Sequence, residues 1–184
     1  RSLKWANADL GGGLAAAFQL TAYRIELWDV NTGVSRGAEI GRLKKSGIEA
    51  EGQLRLASGP YAKAGLSITD NDEAVVSPAG VESWQDFGYS PADNGFLTLG
   101  MAWTNGLDVS GTLRGARAIT INGTDSAGYG VTDLKVSYAP IEGALAGVTV
   151  DFGIENVFDK TYRSNTAYFN EPGRNLKLTL AKTF

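Results

Sequence analysis

The 184-residue sequence has no cysteine and no histidine, a single methionine and five prolines. Without Cys or His there is no Ser-His-Asp or Cys-His relay, no thiolate or imidazole metal site and no disulfide framework. Function must therefore rest on carboxylates, hydroxyls, amides, aromatic rings and backbone. No apolar run approaches the ~18 residues of a membrane helix, and mean hydropathy is −0.13. A cationic surplus is lacking too. Lys and Arg number 17 against 20 Asp and Glu, for a formal charge of −3, whereas a nucleic-acid partner calls for a clear basic excess. A membrane barrel survives these exclusions, because its alternating strands average to neutral hydropathy.

What is present is glycine, 24 residues, and a period-two pattern that marks strands with one apolar and one polar face. Ile48, Ala50, Gly52, Leu54 and Leu56 alternate with Glu49, Glu51, Gln53 and Arg55. The same alternation runs through Ala62–Thr69, Leu97–Trp103, Leu107–Arg114, Val148–Glu155 and Asn175–Leu180. No comparable helical stripe is seen, and glycine within the runs disfavours helix. With less regular runs added, about nine strands are predicted, near residues 2–9, 14–28, 40–57, 61–69, 96–104, 107–116, 129–138, 147–155 and 173–184. In the second, Phe18, Leu20 and Ala22 point one way and Tyr23, Ile25 and Leu27 the other, so a bulge or face change is expected there.

Connections alternate as the side chains do. Short ones fall at Asp9–Gly13, Ser58–Pro60, Asn105-Gly106 and Pro140–Ala146, and long ones at 29–39, 70–95, 117–128 and 156–172. Asn-Gly favours a two-residue type I′ hairpin turn. Short turns on one rim and long loops on the other fit an outer-membrane barrel. A soluble sandwich or lipocalin-like barrel would show the same alternation with its apolar face inward. Two features favour the membrane. Trp5, Trp28, Trp84, Trp103, Tyr61, Tyr89 and Tyr138 fall near strand ends, where an aromatic girdle would stand. The apolar faces also mix Ala and Gly with Leu, which lipid tolerates and a close-packed core does not. The other face then carries Glu49, Glu51, Arg55, Lys63, Asp108, Arg114, Asp133, Lys135, Asp151, Glu155 and Lys177. Bare charges cannot be left in a dry interior, so the lumen must hold water or a polar plug.

Residues 152–184 read FGIENVFDKTYRSNTAYFNEPGRNLKLTLAKTF. This stretch resembles the C-terminal end of TonB-dependent outer-membrane receptors. An Asn-aromatic-Asp element, Asn156, Phe158 and Asp159 with Tyr162, follows the penultimate strand. After a loop, Pro172, Gly173 and Arg174 open a last strand that ends in Phe184. The run Phe18 to Trp28, a loop and then Lys45-Ser46-Gly47-Ile48-Glu49-Ala50-Glu51 are similar to a strand, loop and strand of that family. The elementary readings of these residues are structural. Asn156 and Asp159 can close an Asx turn, Phe158 and Tyr162 can anchor at an interface, and Pro172 is tolerated where a strand begins. Arg174 is open to loop carboxylates, lipopolysaccharide phosphates or plain solvation. The resemblance implies that Phe184 is the terminal aromatic read by the barrel-assembly machinery.

It further implies an all-β, antiparallel, up-and-down transmembrane barrel of 22 strands around an N-terminal plug with an energy-coupling box. Nine strands cover under half of that. Residues 1–184 are therefore expected to be one partial barrel domain, its C-terminal strands, with the plug absent, and the lack of a targeting segment after Arg1 fits that expectation. The implied function is non-enzymatic import of an iron compound, haem or a ferric siderophore, across the bacterial outer membrane. The TonB energy-transducing complex would act through the plug, and lipid and lipopolysaccharide would surround the wall. No cofactor is implied. Haem would be cargo, and with no histidine its axial ligand would be Tyr or lie elsewhere. The alternatives are a complete eight- or ten-stranded outer-membrane barrel with a structural or adhesin-like role, and a soluble barrel with a small apolar ligand.

Two aromatic loop stretches are candidate ligand grips: Trp84, Phe87 and Tyr89 in one, Tyr168 and Phe169 in the other. Rings on outer loops can hold a flat hydrophobic ligand, or pack on one another. Asp70-Asn71-Asp72-Glu73 has calcium-like oxygen density but lacks the Gly and distal Glu of an EF-hand. Arg42, Lys44 and Lys45 form a basic cluster that could meet lipopolysaccharide phosphate or solvent.

Overall fold

The computed structural model describes residues 2–28, 39–76, 82–86, 92–121, 124–164, 167 and 169–183. Among them are twelve strands and no helix: β1 (Ser2–Asp9), β2 (Leu14–Trp28), β3 (Glu39–Leu56), β4 (Pro60–Val76), β5 (Glu82–Asp86), β6 (Asn94–Ala102), β7 (Leu107–Ala116), β8 (Ile119–Ile121), β9 (Thr124–Ser126), β10 (Tyr129–Tyr138), β11 (Val148–Glu155) and β12 (Asn175–Lys182). Nine of them form one antiparallel ladder, β1-β2-β3-β4-β6-β7-β10-β11-β12, in which each strand pairs with its neighbour along the chain. The strand β5 adds to the far end of β4, and β8 with β9 makes a separate two-stranded hairpin. This up-and-down order is the simplest for a chain whose strands are joined by turns.

The ladder matches the nine predicted strands, with four differences. First, β4 continues to Val76, so Asp70–Glu73 is strand and not loop. No group of three Asp or Glu residues that could hold a metal ion occurs among the described residues. Second, β2 carries no bulge. Its register against β3 runs unbroken from Leu14↔Leu56 to Trp28↔Arg42; what changes at Ala22 is the surroundings of each face. Third, β5, β8 and β9 occupy connections expected to be irregular. Fourth, the Asn105-Gly106 turn is not type I′, because only Gly106 has positive φ (88°), and the Asn105 Oδ1 instead accepts the Leu107 N–H at 3.1 Å.

Register assigns the faces. On one, Phe18↔Gly52↔Ala64↔Leu97↔Leu113 and Leu54↔Ala62↔Leu99↔Gly111↔Leu134↔Ile154↔Leu176 run strand to strand across the sheet. On the other lie Glu51↔Gly65↔Phe96↔Arg114 and Lys63↔Thr98↔Thr112↔Asp133. Among the described residues the apolar face is largely exposed. Leu54 is 50%, Leu99 58% and Leu178 66% exposed, and the buried hydrophobic residues among those described are only Ala16, Ala92 and Val131. A soluble barrel would bury this face. From Ile48 to Leu56 the band spans roughly nine residues, ~27 Å along the strand at ~3.4 Å each. At a tilt of ~40° that becomes ~21 Å, close to the apolar height of an outer-membrane barrel. Beyond Ile48 the same face turns polar, with Arg24↔Ser46↔Asp70 and Glu26↔Lys44.

The polar face satisfies much of itself. Lys135 pairs with Asp151 at 3.2 Å, Lys177 with Glu155 at 2.5 Å and Arg114 with Asp133 at 2.7 Å. Thr98 and Thr112 hydroxyls bond across strands at 2.8 Å. Tyr61 donates to Asp108 at 2.8 Å, so this ring lies on the polar face and is not part of a girdle. It covers Gly100 directly opposite, and Phe96 likewise covers Gly65. A side chain at either glycine would collide with the ring, the device by which aromatic rings shield glycine in a sheet.

Candidate functional site

A densely hydrogen-bonded polar constellation stands where β11 leaves the sheet. Asn156 is 2% exposed, one of very few buried side chains among the described residues. Its φ is 51°, in the left-handed region that Asn tolerates better than most residues. The backbone N–H donates to Asp133 Oδ1 at 2.8 Å. The side-chain Oδ1 accepts the Lys160 N–H at 2.9 Å, while Nδ2 donates to the carbonyls of Lys160 (2.8 Å) and Pro172 (3.4 Å). One short side chain thus ties the outgoing and returning limbs of the last connection. Asp159, also left-handed at φ 53°, accepts the Arg174 N–H at 2.7 Å. Gly173 is needed here because a Cβ would sit 2.6 Å from Asp159 Oδ1. The Arg174 Nε donates to the Val157 carbonyl at 2.9 Å.

Tyr162 points to the polar face. Arg114 Nη2 donates to its hydroxyl at 3.2 Å, and its ring meets that of Tyr129 at a centroid distance of 4.6 Å. An interfacial anchor would face the apolar side, so that expectation is corrected for Tyr162. Phe158 is exposed. Arg114 joins the two groups, since its Nε donates to Asp133, whose other oxygen holds Asn156. Arg114 and Asp133 are expected on the polar face from the alternation alone, whereas Tyr129 is not among the residues it singles out. The signal was available, because Tyr129 precedes Asp133 by two period-two steps.

Of the aromatic ligand candidates, Phe169 is 84% exposed. Trp84 lies on β5, paired with Ala74, and its side chain is outside the described set. Phe87, Tyr89, Tyr168 and the terminal Phe184 lie outside the described residues. The basic cluster divides. Arg42 and Lys44 share a face with Trp28 and Glu26, whereas Lys45 stands on the other, 5.9 Å over the Tyr23 ring. Two indentations of the polar face share Arg114 and Tyr129 as lining, and Tyr162 lines the second. One of about 430 Å³ is lined by Phe96, Arg114, Tyr129 and Ser164, and one of about 320 Å³ by Glu155, Asn156, Glu171 and Lys177.

No family profile matches the chain. A stretch of 56 residues is 36% identical to the haem/hemopexin utilization protein C of Haemophilus influenzae, covering 30% of this chain and 8% of that protein. The whole chain superposes on the FrpB iron transporter from Neisseria meningitidis (F5-1 variant) with a TM-score of 0.73 at 20% identity, and on the copper transporter OprC with 0.72 at 16%. In each case it spans 30% of the solved chain. This likeness of fold goes with an apolar face that is exposed and a polar face that carries the ion pairs. In fold, the chain is similar over its whole length to part of these two transporters, an antiparallel all-β wall.

Proposed function

We propose that this chain is part of a TonB-dependent transporter that imports a metal compound through the outer membrane, and that its cargo is an iron compound, haem or a ferric siderophore. One observation carries most of the reading: nine strands in unbroken antiparallel sequence present an uncharged band to lipid and an ion-paired face to the lumen. Such a wall supplies passage and no bond chemistry. The choice of iron leans on the similarity to a haem utilization protein and an iron transporter; similarity to the copper transporter makes copper the competing cargo. Trp84, Phe87, Tyr89, Tyr168 and Phe169 are proposed to grip the cargo at the outer mouth. A plug would link the wall to TonB, lipopolysaccharide would surround the outer rim, and Phe184 would address the chain to the barrel-assembly machinery. A complete small barrel is less well supported, since β1 and β12 end the ladder without pairing to one another.

The test is growth and radiolabelled-metal uptake in cells whose only copy of the gene is deleted or restored. Haem, a ferric siderophore panel and copper are supplied separately, with TonB intact or disrupted. Loss of iron-compound uptake on deletion of either the gene or TonB is expected. Uptake that needs the gene but not TonB would remove the transporter reading, and dependence for copper alone would replace the cargo.

A further inference from the structure

The connection from β11 to β12 bonds back to the wall along its outgoing limb. Val157 N–H donates to the Thr132 carbonyl of β10 at 2.8 Å, and Lys160 Nζ reaches the Gly130 carbonyl at 3.4 Å. Tyr162 then takes the Arg114 hydrogen bond, lies against Tyr129 and has the Arg114 guanidinium 5.8 Å from its ring centre. The return limb is fastened to the outgoing one. Glu171 N–H donates to the Tyr162 carbonyl at 2.9 Å, and Ser164 Oγ to Glu171 Oε1 at 2.6 Å. A solvated loop holds none of these contacts by necessity, because water satisfies its backbone equally well.

We propose that Tyr162 is a latch. Seated between Tyr129 and Arg114, it folds residues 157–164 of the last connection down along the polar face of β10 and β7, making this limb a fixed strap and not a free loop. Asp133 unites the device, since one carboxylate holds both the Asn156 turn at the strap's root and the Arg114 that grips Tyr162. The strap contributes to two indentations of the polar face, Ser164 lining one and Tyr162 with Glu171 the other. Tyr162, Arg114 and Tyr129 are positioning residues in this scheme. The inference does not depend on what is transported.

Arg163 is exposed and follows Tyr162 directly, which gives trypsin a reporter site. The experiment is limited trypsinolysis of the protein assembled in outer-membrane vesicles, following cleavage after Arg163, with boiling-sensitive gel migration as the check that the barrel is intact. The parent is expected to resist. Tyr162→Ala should cleave about tenfold faster or more, as local opening becomes cheap, and Tyr162→Phe, which keeps the ring contact and loses the hydroxyl, should fall between. Rapid cleavage of the parent, or a parent-like rate for Tyr162→Ala in an intact barrel, would overturn the latch. If Tyr162→Ala fails to assemble, the Tyr162→Phe, Arg114→Gln double variant decides in its place, with the same two readings.

Discussion

The two sides of this wall solve the same problem differently. The strands β3 and β4 are 18 and 17 residues long, while β11 and β12 have eight each, against the ~9–11 that a tilted strand needs to cross a bilayer. On the short side the lumen charges neutralise one another within the sheet, Lys135 with Asp151, Lys177 with Glu155 and Arg114 with Asp133. On the long side Glu49 and Glu51 face the lumen with no partner among the described residues. The short side is electrostatically complete; the long side requires water or a polar filling in front of it. Above the lipid band the long strands also change the chemistry of their outer face, from Leu and Ala to Arg24, Glu26, Lys44 and Asp70. Strand length and face polarity thus mark the same boundary, the edge of the hydrocarbon.

The comparison is broken most severely by moving a charge across that boundary. Leu99→Arg places a guanidinium in the lipid band and should cost about 2–4 kcal/mol near mid-bilayer, abolishing the boiling-sensitive band or lowering the urea midpoint sharply. Ser46→Arg, on the same face of a long strand but beyond the band, should leave both unchanged. On the short side, Asn156→Ala should cost about 2–3 kcal/mol by urea unfolding, since it removes three side-chain hydrogen bonds and leaves alanine with a left-handed φ. Gly100→Ala should cost about 1–3 kcal/mol. Its Cβ meets the Tyr61 ring, and that ring cannot swing aside without giving up its bond to Asp108. The smallest effect belongs to the long side. Glu49→Gln breaks no pair in the wall and should change stability by less than about 0.5 kcal/mol, whereas a loss comparable to Asn156→Ala would show that the wall itself uses this carboxylate.

The same division explains what was legible in the sequence. Inside the lipid band, period two is imposed by two unlike solvents, and Leu54, Leu99 and Leu178 read correctly with no tertiary knowledge. Past Ala22 and Ile48 both faces meet water, the imposed alternation ends, and the continuing strand looked like a face change in β2 and a loop in β4. The short β5, β8 and β9, of five, three and three residues, carry too few side chains to show any period. In the last connection the motif marked Asn156, Asp159 and Tyr162, but the direction of Tyr162 depends on Arg114, 48 positions away, and only the register of β7 against β10 brings that residue near.

Because the sequence contains no cysteine, single cysteines give unambiguous reporters of facing. Leu54, Leu99 and Leu178 on one face, with Gln53, Thr98 and Thr179 on the other, would each be replaced, labelled with a small fluorophore in the membrane-assembled protein, and exposed to spin-labelled lipid and to aqueous iodide. The wall described above predicts lipid quenching at the three leucine positions and iodide quenching at the other three. Leucine positions shielded from lipid and from iodide alike, with Gln53, Thr98 and Thr179 open to bulk solvent around the outside, would contradict it.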